Sequence, residues 1–521
     1  MSSGIDESVK TPDIFRWHEL EFCDLMAELG RSNRDSLVWW ASSVSSKHYE
    51  VSAFWNDLLE FFKGGCFPRR PVSVFTLFVR LVYQLYRIHL MAPVRLRIGR
   101  LFQRHRRHRD ALLIFSHFDK RSWPRASGEY CDVYWQALLP HLECQGIEYI
   151  IVGLTASDEY FVREKLLKRT SKDVSILPIE AFLNPLDLLW AMTQSLTGRV
   201  DLAASVCFDG TDILPFIKSH LRAERCNGRI FSALCSYRAV CRVLRHLKPR
   251  RIYWPWENNP WEKMIIKAKE KFSPTAMTIG YQHTTVPLFD LNHLPGRRDL
   301  ESAPYPDRII TTGRQPIDIL QAFGHYLPGI FQPGCALRYE HLWNMKPRSA
   351  PLRQRPVIGI PLSMYVHVSV DLLKIVLKNS GLSVPIMLRF HPLTPEETVK
   401  EAMGQQAWPA NIESFPEPEM EAFLNSIDIM VYSHSSACFE AVMIGVPVIF
   451  LDTGQGLTGD RMFNNRHLKW HAADAEELAA RVTEIGRMDH RTLMHERQLG
   501  RRYVENYFHP VTPENLDRFI V

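Results

Sequence analysis

The sequence predicts a two-domain α/β fold behind a helical N-terminal extension. Three observations carry this: short apolar runs alternate with helical stretches from Ala111 onward, a proline- and base-rich break falls at 345–356, and apolar residues in 1–110 recur at helical spacing. A chain of 521 residues exceeds what one hydrophobic core serves, and its 46% hydrophobic content suffices for two.

The extension comes first. Residues 17–29 and 51–62 each repeat apolar residues every three or four positions, and Gly64-Gly65 ends the second stretch. From Ala111 the pattern changes. Runs at 112–115, 149–152, 174–177 and 251–254 read as strands, with further strands at 277–280 and 308–311, as a Rossmann-like domain requires. The break at 345–356 reads as a linker, and 357–360 opens a second α/β domain. The expected domains are therefore 1–110, 111–345 and 346–521, with the segment after Gly500 returning to the first α/β domain.

Charge is local. Between Arg69 and Arg109 stand eleven arginines and no acid, so removing them from the net charge of +6 leaves the rest of the chain at −5. Inside that stretch residues 72–91 are strongly apolar, with Ser73, Thr76, Arg80, Gln84 and Arg87 forming one narrow polar stripe on a helix. Two internal arginines oppose a membrane span, each costing at least about 2.5–3.5 kcal/mol at mid-bilayer. The expectation is a helix lying on an anionic membrane surface, with 72–109 as the contact and Arg95 to Arg109 meeting headgroups. Packing onto the protein is the alternative. No nucleic-acid reading motif accompanies the charge, so nucleic acid is not an expected partner. The ten cysteines are scattered without metal-ligand spacing, and the first dozen residues are polar, so a cytoplasmic protein associated peripherally with a membrane is expected.

Chemistry concentrates in two C-terminal segments. Arg389-Phe390-His391-Pro392 follows an apolar run, and Thr394-Pro395-Glu396-Glu397 then reads as N-cap, first-turn proline and capping-box glutamate. Ser433-His434-Ser435-Ser436 follows the run 427–432 and precedes an apolar helix containing Glu440, then Gly445-Val446-Pro447. Serines there meet free N–H groups and a dipole that favours an anion, and the bland alternative is simple capping.

His-Pro followed by Ser-Ser in this order resembles the signature of bacterial GT-B glycosyltransferases that use cytidine-nucleotide donors. These include sialyl-, polysialyl- and Kdo transferases and, more distantly, teichoic-acid glycerophosphotransferases. The segments 254–262 and 280–283 are similar to those of bacterial surface-carbohydrate biosynthesis proteins. The resemblance implies two Rossmann-like domains facing a cleft, a CMP-activated acidic sugar as donor, and a surface-polysaccharide or lipid-linked glycan as acceptor. It carries donor-nucleotide contacts to His391, Ser435, Ser436 and Ser433, with Arg389, Pro392 and Glu440 alongside. Polysialyltransferases have an acidic-acidic-glycine motif where Phe208-Asp209-Gly210 has a single acid.

Glycosyl transfer also needs a base for the acceptor hydroxyl. Glu257, following the predicted strand 251–254 among Trp254, Trp256 and Trp261, is the leading candidate, with Asp209 and Glu262 as alternatives. Asn259-Pro260-Trp261-Glu262 equally reads as a capping box, and Asp209 as a turn residue. Trp256, Trp261, Gln282 and His283 are expected on the acceptor side of the cleft. The sequence has no Asp-x-Asp pair, so neither metal nor cofactor is expected, and the nucleotide sugar is a substrate. A UDP-sugar transferase, a CDP-glycerol-type phosphotransferase and a non-catalytic membrane-docked assembly protein remain alternative readings.

Overall fold

The computed structural model describes residues 13–47, 54, 57, 58, 61, 72–96, 111–123, 129–155, 158–168, 176–378, 384–417, 419–454 and 459–520. Among them two parallel sheets organise the α/β part. The first has seven strands in the order Ile176–Pro178, Tyr149–Thr155, Leu112–Phe118, Arg251–Pro255, Met277–Gln282, Arg308–Thr311, Phe331–Pro333. The second has six: Ile412–Ser414, Ile386–Arg389, Ile358–Pro361, Ile429–Tyr432, Val448–Leu451, Lys469–Ala472. In chain order each begins 3-2-1-4-5-6, the doubly wound arrangement, once the hairpin Cys207–Phe208 and Thr211–Asp212 is set aside as its own two-stranded sheet. This is the GT-B plan. Helices cover the faces, which is why the strands read as continuous apolar runs rather than alternating ones.

In such sheets ligands bind beyond the carboxyl ends, where the strand order reverses. That point lies between Leu112–Phe118 and Arg251–Pro255 in the first sheet, which pair at Leu113 and Ile252. In the second it lies between Ile358–Pro361 and Ile429–Tyr432, paired at Ile358 and Ile429. The two carboxyl ends meet. Phe289, beyond Met277–Gln282, rests on His434, beyond Ile429–Tyr432, with ring centroids 5.7 Å apart. Arg461 donates to the His434 carbonyl at 2.8 Å and to Thr285 Oγ1 at 2.9 Å.

The linker runs without regular structure from Met345 to Val357 and is pinned by Arg348, whose guanidinium reaches the Ile427 carbonyl at 2.6 Å. After the helix His490–Tyr507 the chain returns to the first domain: His509 N–H donates to the Thr312 carbonyl, and the Phe519 carbonyl accepts from Tyr253 Oη at 2.7 Å.

The N-terminal helix Asp13–Ser32 and the segment to Lys47 pack on the first domain, where buried Lys47 Nζ donates to the Leu294 carbonyl at 2.7 Å. The expected helix at 51–62 lies largely outside the described residues, as do 97–110. The apolar helix forms at Val74–Leu90, capped by Ser73, with its polar stripe turned toward the protein. Gln84 is buried, Arg80 lies against Gly228, and Arg87 pairs with Glu180 and donates to the Thr155 carbonyl at 2.6 Å. Arg95 likewise donates inward, to the Leu183 carbonyl. Among the described residues no helix is long and apolar enough to cross a membrane.

Candidate functional site

The first-domain cluster is built on three strand ends. His117 is the penultimate residue of Leu112–Phe118, Glu257 lies two residues beyond Arg251–Pro255, and His283 directly follows Met277–Gln282. His283 Nε2 is 3.3 Å from Glu257 Oε1, and Arg338 reaches His283 Nδ1 at 3.0 Å. Arginine only donates, so Nδ1 must accept and the neutral ring carries its proton on Nε2, facing the carboxylate. Burial lowers the pKa of His283, which keeps it neutral, with Glu257 opposing that shift and Arg338 reinforcing it. Asn259 Nδ2 donates to the other oxygen, Oε2, at 3.0 Å. Glu257 is thus fixed at both oxygens while its side chain stays about one-third exposed, at 35%. Tyr134 packs edge-on to His283 at 4.8 Å, with Arg338 over its face, and His117 meets Trp261 at 5.3 Å.

Glu262 holds this loop from beneath. It is N3 of the helix Pro260–Phe272, in a capping box with Asn259. Its buried carboxylate accepts from the backbone N–H groups of Glu257, Asn258 and Asn259 and from Trp254 Nε1 at 3.0 Å. Burial pushes its pKa up to about 8, with the charge of Glu257 second, while these donors pull it down. Asn258, at φ 55°, sits in the left-handed region and anchors the turn through Nδ2 to the Asn292 carbonyl at 2.8 Å.

Three expected positions lie elsewhere. Trp256 is not on the cleft wall but in the core, filling the space that Gly280 leaves: a Cβ there would fall 2.8 Å from the Trp256 Cβ. Gln282 is fully buried, its amide donating to the Thr284 carbonyl and accepting from Thr312 N–H. Asp209 takes the turn position that was its alternative reading: it and Gly210, at φ 48° and 70°, form the two-residue turn of a hairpin that is a sheet of its own. That hairpin packs by Phe208 on Phe22.

The second-domain cluster gathers on strands Ile386–Arg389 and Ile429–Tyr432. His391 is half-buried, and its Nδ1 accepts from Leu393 N–H at 3.1 Å. Burial and then Arg389 lower its pKa, so the neutral ring presents Nε2–H outward as a donor. The following helix starts one residue later than the capping pattern predicts, at Glu396 with Pro395 as N-cap. Thr394 Oγ1 donates instead to the Met364 carbonyl at 2.7 Å, which ties the His-Pro loop to the loop beyond Ile358–Pro361. Pro392 is exposed.

Ser436 is the N-cap of the helix Ala437–Ile444 yet makes no side-chain cap hydrogen bond. Ser435 Oγ accepts only a long bond from Ala437 N–H at 3.3 Å. Buried Ser433 pairs with His434 Nδ1 at 3.0 Å, and burial followed by Arg461 drives the His434 pKa down to about 4. Burial lowers the Arg389 pKa and nearby Glu440 opposes that shift, while Glu440 lies 3.5 Å from His341 of the first domain. Among the described residues no group of three or more His, Cys, Asp or Glu side chains could hold a metal ion.

His117, Tyr134 and Arg338 were not foreseen. His117 hides inside an apolar run, and Arg338 lies 55 residues beyond His283 on an irregular helical segment.

No family model matches the chain, and no curated protein does. Among solved structures it is similar to CalG4, the calicheamicin glycosyltransferase, at 11% identity and TM-score 0.43, over 79% of this chain and 98% of that one. It is similar to MurG of Acinetobacter baumannii at 13% and 0.41, over 78% and 98%, and to UDP-GlcNAc 2-epimerase of Neisseria meningitidis, solved with UDP-GlcNAc, at 10% and 0.43, over 79% and 98%. Similarities this low assign no chemistry; strand order and side chains must do so.

Proposed function

We propose that this chain is a glycosyltransferase that uses a nucleotide-sugar donor, independently of metal, and acts on a surface-polysaccharide or lipid-linked glycan acceptor. The observation that carries the reading is the meeting of two unlike clusters at opposed carboxyl ends: an oriented carboxylate on one side, helix-start hydroxyls with basic side chains on the other. In this reading Glu257 takes the proton of the acceptor hydroxyl as that oxygen bonds to the sugar carbon and the bond from that carbon to the donor phosphate breaks. The departing phosphate charge is met by Ser435, Ser436 and the start of the helix Ala437–Ile444, with Arg389 and neutral His391 as donors. His283 and Arg338 orient the base, and Glu262 positions its loop.

The favoured donor is a CMP-activated acidic sugar, supported by the His-Pro and Ser-Ser resemblance. The working place is the cytoplasmic side of the inner membrane, in bacterial surface-polysaccharide synthesis. Calorimetry of the purified protein with CMP, CDP, UDP and GDP tests this. CMP binding that His391→Ala weakens about tenfold or more, the loss expected for a hydrogen bond to a charged group, supports the reading. Preference for UDP or CDP replaces the donor with a UDP-sugar or a CDP-glycerol-type substrate, and failure to bind any of the four sinks the transferase reading in favour of an assembly protein.

A further inference from the structure

The helix Val74–Leu90 is inside out. Its polar and charged residues Arg80, Gln84 and Arg87 turn into the protein, while Val74, Phe75, Phe78, Val79, Val82 and Tyr86 face outward, Phe75 at 73% exposure. A helix on an ordinary soluble surface does the reverse.

The neighbouring helix Pro185–Thr197 repeats the pattern. Its one charged residue, Asp187, is fully buried between Arg238 and Arg242, each 2.9 Å away. Leu186, Leu189 and Leu196 are exposed, Leu186 at 73%. The two helices touch, so their outward faces join into one apolar surface.

Charge around that surface has one predominant sign. The adjoining helix Leu214–Asn227 exposes Lys218 and Arg222, and Arg229 just beyond it is exposed near Arg80. The acids beside the helix, Glu159 and Glu180, are both engaged by Arg87. An apolar centre with a basic margin and outward tyrosines matches an anionic bilayer surface, where hydrocarbon takes the centre and headgroups take the margin.

Placement adds a consequence. Arg87 grips Thr155, the last residue of its strand, and Thr155 stands opposite Phe118, next to His117. The apolar surface therefore lies toward the same carboxyl end of the sheet as Glu257.

We infer that the outward faces of Val74–Leu90 and Pro185–Thr197 form a monotopic docking surface for anionic lipid, which seats the first domain on the bilayer with its strand ends toward it. Resting on the transferase reading, this makes the acceptor a lipid-borne glycan drawn from the bilayer rather than a free sugar. The docking itself is independent of that reading.

Flotation of the full chain with phosphatidylcholine vesicles, with and without phosphatidylglycerol, tests it. Wild type is expected to float with the anionic vesicles, less so at high salt. Phe75→Asp/Phe78→Asp and, separately, Leu186→Asp/Leu189→Asp are each expected to lower the bound fraction about tenfold. Nucleotide binding by the same variants serves as the folding control where wild type binds nucleotide, and circular dichroism serves where it does not. Wild type left at the bottom of the gradient, or variants that float as well as wild type, overturns the proposal. So does light scattering that gives a dimer dissociated by the same substitutions, because a second copy would then cover the face. Since vesicles and nucleotides are read separately, failure of docking and failure of the transferase reading cannot be confused.

Discussion

The two domains carry the same strand order but prepare their carboxyl ends in opposite ways. In the first, Glu257 is held at one oxygen by His283 and at the other by Asn259, and Glu262 fixes the backbone that carries it. In the second, the Ser436 hydroxyl does no capping and Ser435 accepts one long bond. The difference separates two demands on one scaffold. A group that moves a proton must be oriented before the substrate arrives, since misplacement is costly. Groups that grip a charged ligand must instead keep hydrogen-bonding capacity unspent until it arrives.

The largest expected effect breaks the first side of this comparison. Glu257→Gln keeps the shape and removes the base, so turnover should fall by about 10²–10⁴-fold with nucleotide affinity unchanged, measured by steady-state kinetics beside calorimetry. If affinity falls instead, the carboxylate belongs to donor binding and the division between the domains is wrong.

Next comes the support beneath it. Glu262→Ala strands the Trp254 indole N–H and the Asn258 N–H in a buried place, and at about 1–3 kcal/mol for each unmet buried donor the loss of stability should reach about 3 kcal/mol. Urea unfolding measures it, and a loss under about 0.5 kcal/mol would mean that the loop holds itself.

A subtler change sharpens the role of His283. Arg338 lowers its pKa, so Arg338→Met should let that pKa rise. The ring then stays protonated to higher pH and no longer has a neutral Nδ1 fixed by a donor. The acid limb of the kcat/KM profile should move to higher pH; an unmoved limb would separate His283 from the reaction.

The smallest effect is expected at Asp209→Asn. Asparagine tolerates the left-handed turn conformation as aspartate does, so stability should change by less than about 0.5 kcal/mol and turnover not at all. Loss of turnover would make Asp209 the base in place of Glu257.

Local signals in the sequence were the readable ones. Asn259-Pro260-Trp261-Glu262 encodes its capping box within four residues, and the parallel strands announce themselves as apolar runs, because both decisions are made by neighbours in the chain. Orientation was harder to read. Trp256 reads in sequence as an acceptor-side residue, yet it fills the space beside Gly280, a complement set by the adjacent strand, and Trp254 spends its indole N–H on Glu262. The polar stripe on 74–90 was visible, but which way it turned depended on Glu180 and Gly228, far away in the chain. Arg338 and His117 carry no motif, and only folding brings them to His283 and Trp261.

The chain passes from one lobe to the other twice, outward through Met345–Val357 and back after Tyr507. Two tethers leave less freedom than one. With both anchored, by Arg348 on one side and by the His509 bonds on the other, the lobes retain chiefly a rotation about the line through the two crossings. Tethered in this way, the cleft should close as a book does, each closure bringing the same loops of the two sheets together in the same alignment.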